Sequence, residues 1–372
     1  MQITRFLQQK IEARLFQGKI IILYGARQVG KTTLVKEILK KHPLNSNYYN
    51  CEEVDVQIAL GKGTSVALKN FFGNKQLIVL DEAQKIKNIG NKLKLLIDNY
   101  PEMQIIATGS SSFELSNSIR EPLTGRKFEF FIPAISVKEL YQDKLIFNRN
   151  LENLLRFGLY PDVVNNSQNP EIILREIATS YLYKDIFNFQ EIRSPELILN
   201  LLQLLALQIG GEVSYYELSQ KIGLSSETIE RYIYLLEQAF VIFRLPAFSR
   251  NLRNEVSKTR KIYFWDIGIR NSLIQNTNQL QVRSDIGGLW ENFCIVEKIK
   301  QDQLLSKFTN NYFWRTYQQK EIDFIQESAG NLETFEFKWN PKKINKIPKL
   351  FQENYPNSTF KVINPSNFWD EF

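Results

Sequence analysis

The stretch Gly25-Ala26-Arg27-Gln28-Val29-Gly30-Lys31-Thr32-Thr33 carries the residue types that a polyphosphate requires. Two glycines bracket a loop whose backbone N–H groups can approach phosphate oxygens with no Cβ in the way. Lys31 has the reach to meet the β and γ phosphates, and the Thr32 hydroxyl is spaced to ligate Mg2+. An acid pair, Asp81-Glu82, ends the apolar run Leu77-Ile78-Val79-Leu80 further on. In that position Asp81 would hold Mg2+ through water, and Glu82 would act as general base on an attacking water. Ser110 or Thr108, at the polar end of Met103-Gln-Ile-Ile-Ala-Thr-Gly-Ser, could sense a γ phosphate; a plain strand-to-loop turn is the alternative. Arg126 could stabilise transferring charge, in its own chain or across a subunit boundary, or be a solvated surface cation.

A third constellation lies near the C-terminus. In Glu321-Ile-Asp323-Phe-Ile and Thr334-Phe-Glu336-Phe-Lys338, charged and apolar residues alternate at period two, so Glu321 shares a strand face with Asp323, and Glu336 with Lys338. Gly330-Asn331 is placed to supply the turn between them. A hairpin would bring Asp323, Glu336 and Lys338 together, with Glu291 supplied from a preceding helix. Two or three of these carboxylates, Asp323 and Glu336 among them, would hold one or two divalent cations, and the lysine would orient or activate a water for attack on a phosphodiester. The competing reading is a set of solvent-facing charges on an edge hairpin.

These residues need a scaffold. Ile20 to Leu23 is an aliphatic run bounded by turn residues, which predicts a buried parallel strand, and the periodicity of Leu34, Val35, Ile38 and Leu39 predicts a helix aiming its positive end at the loop. Ile3 to Leu15 has helical spacing, Tyr48-Tyr49 is strand-like, and Phe128 to Ile132 reads as a further strand. From Leu151 to about Asn200 the pattern turns helical, through Phe157-Gly-Leu-Tyr-Pro161 and Tyr181-Leu-Tyr-Lys-Asp-Ile186, as in a lid or linker. Ser214-Tyr-Tyr-Glu217 predicts a capping box, Gly223 a turn, and Ile229, Ile233, Leu236 and Phe240 a second helix before the strand Val241-Ile-Phe243. Helix, turn, helix and hairpin describe a winged helix. Its second helix carries Glu227, Glu230 and Glu237 against Arg231 alone, which favours a protein contact or a spacer over DNA.

The chain has 372 residues, 43% of them hydrophobic and 13% aromatic, enough for two or three folded domains and unlike a disordered segment. Its net charge of +7 permits a polyanionic partner without requiring one. Cys51 and Cys294 form no disulfide framework and no zinc-finger spacing, and the single histidine, His42, leaves no His-rich metal site. Neither the N-terminus nor the run Leu197 to Ile209 reads as a signal peptide or a membrane span, so a cytoplasmic protein is expected.

The order of the motifs GxxxxGKT, LIVLDE, TGS, LTGR, FGLYPDVV, YLYKDI, KIYFWDIG, ENF, RTYQQKEIDF and FEFK resembles that of the AAA-type ATPases of bacteria and archaea with a C-terminal DUF4143 domain. The resemblance implies an α/β fold: a P-loop NTPase parallel sheet flanked by helices, then a helical and winged-helix segment, then an α/β restriction-endonuclease-like domain. The expected boundaries are 1–145, 146–255 and 256–372. In the PD-(D/E)XK pattern that the resemblance implies, Asp323, Glu336 and Lys338 match the Asp and Glu-x-Lys positions, and Glu291 the acid of the preceding helix. The strand ending in Thr108-Gly109-Ser110 departs from the asparagine usual at the sensor position. The expected activity is Mg-ATP hydrolysis coupled to the C-terminal domains, with ATP and Mg2+ as cofactors. The output is nucleic-acid cleavage, nucleic-acid binding alone, or a nucleotide-gated scaffold. Expected partners are nucleic acid, DNA ahead of RNA, or proteins, with a homo-oligomer allowed and no membrane.

Overall fold

The computed structural model describes residues 3–61, 63–110, 122–166, 168–181, 194–249, 260–316, 318–343 and 346–372. They form two compact units, Met1–Ile135 with Gln238–Phe240, and Ser136–Glu237 with Val241–Phe372. By packing, the chain therefore divides after Ile135, and residues on either side of 255 share the second unit.

The first unit runs α1 (Leu7–Glu12), β1 (Ile20–Tyr24), α2 (Lys31–Lys40), β2 (Ser46–Asn50), α3 (Val54–Gly61), α4 (Ser65–Phe72), β3 (Leu77–Asp81), α5 (Ile89–Asn99), β4 (Gln104–Gly109) and β5 (Lys127–Phe131). The strands form one sheet in the order β2-β3-β4-β1-β5, and every pairing is parallel. Parallel strands need crossovers, and helices on the faces bury both sides, which is why Ile20 to Leu23 and Leu77 to Leu80 are almost wholly aliphatic and at most 2% exposed. Leu68, Phe72, Leu93 and Leu96 from α4 and α5 share a core with Ile20, Ile22, Ile78 and Leu80. The N-terminal helix is shorter than the spacing of Ile3 to Leu15 suggests, covering only Leu7–Glu12.

The second unit opens with helices α6 (Val137–Leu140), α7 (Lys144–Phe157), α8 (Pro161–Asn165), α9 (Pro170–Tyr181), α10 (Pro195–Leu207), α11 (Tyr215–Ile222) and α12 (Ser226–Gln238). Strands β6 (Ile242–Pro246) and β7 (Arg260–Phe264) pair antiparallel, and α13 (Ile267–Leu273) and α14 (Ile286–Leu305) follow. A sheet of β8 (Asn310–Arg315), β9 (Glu321–Ser328), β10 (Asn331–Phe337) and β11 (Thr359–Ile363) has the order β11-β10-β9-β8, with α15 (Lys349–Asn354) and α16 (Phe368–Glu371) beside its last strand in sequence. The β8-β9 and β9-β10 pairings are antiparallel and β10-β11 is parallel.

Three local expectations shift. Helix α12 stops at Gln238, and Phe240 lies beyond it with φ +58°. Ser214 accepts from the Glu217 N–H, but Glu217 pairs with Lys221 one turn on (2.7 Å), so half of the expected capping box forms. The hairpin turn is Ala329-Gly330, both at positive φ, while Asn331 already pairs with Ser328. That two-residue turn matches strand twist, which sets the register. Beyond Tyr181, the run to Ile186 lies outside the described residues.

The motifs FGLYP and WDIG meet at one joint. Asp266 caps α13 by accepting from the Gly268 and Ile269 N–H groups, and its other oxygen accepts from the Leu159 N–H at 2.8 Å. Gly158, at φ +77°, passes so close that a Cβ there would lie 2.2 Å from the Asp266 carboxylate. The conspicuous aromatic-glycine motifs are thus structural. Asp266→Ala leaves three buried N–H groups without their acceptor and should lower the unfolding free energy by about 2–4 kcal/mol. Urea unfolding followed by circular dichroism measures it; a change within experimental error would show the joint to be dispensable.

Candidate functional site

Two clusters of chemically competent residues stand out, one in each unit. In the first, β1 delivers the chain into the loop Gly25 to Gly30, and α2 begins at Lys31. Gly25 is required by close approach, since a Cβ there would lie 2.2 Å from the Ile132 carbonyl oxygen. Gln28 (φ +60°) and Gly30 (φ +95°) turn the backbone left-handed, which curls the loop back onto the helix start. Lys31 is buried and its ammonium lies inside the loop, donating to the Gly25 (2.8 Å) and Ala26 (2.7 Å) carbonyls. Arg5 braces the loop from outside by donating to the carbonyls of Val29 and Pro133, each at 2.8 Å.

Asp81 sits at the end of β3 and collects three hydroxyls. Thr32 donates to its Oδ2 at 2.8 Å, Tyr48 from β2 donates to the same oxygen at 2.5 Å, and Thr108 from β4 donates to Oδ1. Burial and the bond to Asp81 push the Tyr48 phenol above its ordinary value, so it stays a donor. The Thr108 hydroxyl also accepts from the Glu82 N–H at 3.1 Å, which ties both acids to one residue. Glu82 takes φ +54°, a costly conformation for a long side chain, and turns away from the strand line. Its Oε2 accepts from Gln84 Nε2 at 2.5 Å, and the same nitrogen lies 3.3 Å from the Ser110 hydroxyl. Cys51 abuts this group, and its thiol is pushed up to about 12 by burial and by Asp81 and Glu82, so it is no nucleophile.

Thr108 is therefore the β4 residue that touches the acids directly, while Ser110 reaches Glu82 only through Gln84. Arg126 does not join them. It precedes β5, its carbonyl accepts from the Ile20 N–H at the start of β1, and its guanidinium pairs with Asp98 at 2.6 Å. The loop follows the opposite end of β1, so within one chain Arg126 is remote from the phosphate cradle.

The second cluster gathers the acids of the C-terminal segment. Phe335 pairs with Phe324, so Glu336 stands opposite Asp323 across the β9-β10 ladder. Asp323 Oδ2 accepts from the Phe337 N–H at 2.7 Å, and Lys338 Nζ lies 2.7 Å from Glu336 and 3.9 Å from Asp323. Glu291 of α14 completes the four residues expected from sequence. Carboxylate oxygens of Glu291, Glu321 and Asp323 lie within 4.8 Å of one another. Burial, then Glu291 and Glu336, pushes the Asp323 carboxyl well above the usual range. Burial pulls Lys338 down, but Asp323 and Glu336 outweigh it and hold the ammonium above its ordinary value.

Glu321 was placed on the face of Asp323 from sequence but given no role in the site, and Lys261 and Tyr263 were given none either. Lys261 Nζ donates to Glu291 at 2.9 Å and pairs with Glu321, and the Tyr263 hydroxyl donates to the same Glu291 oxygen. A signal existed, since Lys261 and Tyr263 alternate on one face of β7 as Glu321 and Asp323 do on β9. Nothing local says that those two faces meet.

Comparison with known proteins matches three segments of the chain to family models. Residues 17–141 match the family model of an AAA domain, residues 286–368 that of DUF4143, a domain of unknown function, and residues 148–280 that of DUF8612, another domain of unknown function. The first two fall where the sequence motifs place them. An uncharacterized protein of Mycobacterium tuberculosis is 26% identical over 340 residues, covering 88% of this chain and 72% of that protein. One of Methanocaldococcus jannaschii is 24% identical over 345 residues, covering 87% and 75%. Among solved structures, the RuvB Holliday junction branch migration motor of Thermotoga maritima aligns with a TM-score of 0.35 and 16% identity, over 66% of this chain and 90% of that one. No helix among the described residues is long and apolar enough to cross a membrane.

The loop's dependence on Gly25 is testable. Gly25→Ala must displace the Ile132 carbonyl, so nucleotide affinity should fall by more than about tenfold as the N–H groups lose their common focus. Fluorescent-nucleotide titration reads this, and wild-type affinity in the variant would dissociate the loop from binding.

Proposed function

We propose that the chain binds and hydrolyses Mg-ATP at the first cluster. The observation that carries this reading is the contact of the Thr32 hydroxyl with the Asp81 carboxylate at 2.8 Å, beside a buried Lys31 aimed into a glycine-bounded loop. The donor set suits Mg2+, a hard cation that takes a hydroxyl and a water-bridged carboxylate together with phosphate oxygens. When bound, the metal offsets charge on the β and γ phosphates. Lys31 exchanges the Gly25 and Ala26 carbonyls for phosphate oxygens, and the N–H groups from Ala26 to Thr33 enclose the anion at the start of α2. Thr32 and Asp81 would hold the metal. Glu82 accepts a proton from the attacking water, with Gln84 and Ser110 fixing the carboxylate's direction. Arg126 enters only if a second chain brings it to the site.

The turnover is proposed to act through the second unit on nucleic acid. Exposed Lys342, Lys343, Lys346 and Lys349 follow Lys338 closely and supply phosphate contacts. The helix pair α11-α12 with β6-β7 reads as a winged helix; the Glu237–Arg244 pair at 2.6 Å and the exposed Glu227 and Glu230 favour a protein contact or spacer for it. A second reading, metal-dependent phosphodiester cleavage by a PD-(D/E)XK-like site, is favoured by the meeting of Glu291, Asp323, Glu336 and Lys338. There the acids would hold the metal and Lys338 would orient water.

Lys31→Ala should abolish ATP binding, whereas Glu82→Gln should retain ATP and lose at least about a hundredfold in turnover. Nucleotide titration beside phosphate release separates the two, and unchanged turnover in Glu82→Gln would remove Glu82 from the mechanism. Plasmid, linear and single-stranded DNA and RNA, incubated with Mg2+ or Mn2+ with and without ATP, test the second reading. Cleavage that disappears in both Asp323→Ala and Glu336→Ala supports it, and an intact substrate with wild-type protein refutes it.

A further inference from the structure

The acidic cluster of the second unit already contains a cation. Lys261 is 1% exposed, and its ammonium contacts Glu291 and Glu321, two of the three residues whose carboxylate oxygens lie within 4.8 Å of one another. Its position is determined from several sides. The Phe313 ring centroid lies 5.5 Å from Nζ, and Tyr263, the neighbour on the same face of β7, donates to the Glu291 oxygen that Lys261 uses. Arg315 flanks the other oxygen of Glu321 at 3.7 Å, and Lys338 flanks Glu336 and Asp323. Glu291, Glu321, Asp323 and Glu336 thus face Lys261, Lys338 and an Arg315 that is shared with Glu212 at 3.5 Å, so Lys261 is the most deeply buried of the three cations that offset them.

A divalent cation bridging Glu291, Glu321 and Asp323 needs oxygen atoms at about 2.0–2.6 Å, and on Glu291 and Glu321 it would meet the ammonium of Lys261. Ammonium and metal cannot share the same lone pairs at such distances without strong repulsion in a buried site. We propose that Lys261 is the resident counter-ion of this cluster, which a divalent cation must displace, so that Lys261 sets the metal affinity of the site. The proposal deepens the second reading above and rests on the cluster being a metal site. Lysine suits the part because a point charge on a flexible stem can withdraw, whereas a planar arginine fork would hold both carboxylates fast.

Mn2+ binding to the full chain without nucleotide, measured by isothermal titration calorimetry, tests it with Lys261→Met, Lys261→Arg, and Lys261→Met combined with Asp323→Asn. Lys261→Met should bind Mn2+ at least about tenfold more tightly than wild type, with that gain lost when Asp323→Asn is added. Lys261→Arg should show no gain. Equal Asp323-dependent affinity in wild type and Lys261→Met would overturn the displacement and leave the metal site, and with it the cleavage reading, standing. Absence of any Asp323-dependent binding would overturn both. If Lys261→Met does not fold, the wild-type chain decides: in 15N-lysine-labelled protein, the Lys261 ammonium resonance, assigned through Lys261→Arg, must move as Mg2+ saturates the Asp323-dependent site. An unmoved resonance at saturation overturns the proposal.

Discussion

The carboxylate of Asp81 is the point on which the first unit's chemistry turns. It accepts hydroxyls from α2, β2 and β4, so one side chain reports whether three elements stand in register. Parallel strands end together at one edge of their sheet, and the residues there come from distant parts of the chain. Thr108 extends the arrangement to Glu82 through the backbone, and Glu82 in turn is held by Gln84. The acid pair is oriented by neutral hydrogen-bonding groups, which leave its negative charge available to a cation.

The second unit solves the opposite problem. Its acids are drawn together in a largely buried place, where uncompensated charge would cost several kcal/mol for each group, on the order of the whole stability of a domain. The chain answers with lysines and an arginine from β7, β8 and the end of β10. Asp323 shows the residual strain of that solution, since burial and neighbouring acids still raise its carboxyl. The two clusters therefore differ in kind, one organised by hydroxyls and the other by ammonium groups.

Much of this was legible in the residues. The parallel sheet follows from aliphatic runs at Ile20 to Leu23 and Leu77 to Leu80, because only strands covered on both faces read that way. The phosphate loop follows from two glycines, a lysine and a threonine at fixed spacing, which is a purely local specification. What escaped were contacts between segments far apart in sequence. Arg5 on the loop carbonyls, Tyr48 on Asp81 and Lys261 between Glu291 and Glu321 depend on which faces meet, and period-two or helical spacing fixes a face without naming its partner. Arg126 fails within one chain for a related reason: its motif gave it a charge but not an end of the sheet.

The sheet order has a consequence for the order of events during synthesis. Strand β1 lies between β4 and β5, so Ile21 waits for Ile106 and Ile20 for Lys127 before either edge is paired. The phosphate loop needs still later residues, since Gly25 packs on Ile132 and Arg5 closes onto Pro133. Contacts of such long sequence separation form slowly and only after loop closure. A nascent chain emerging from the ribosome thus carries the whole phosphate-binding sequence well before it has a phosphate-binding shape, and the cradle is completed by residues that contribute nothing to its recognisable motif.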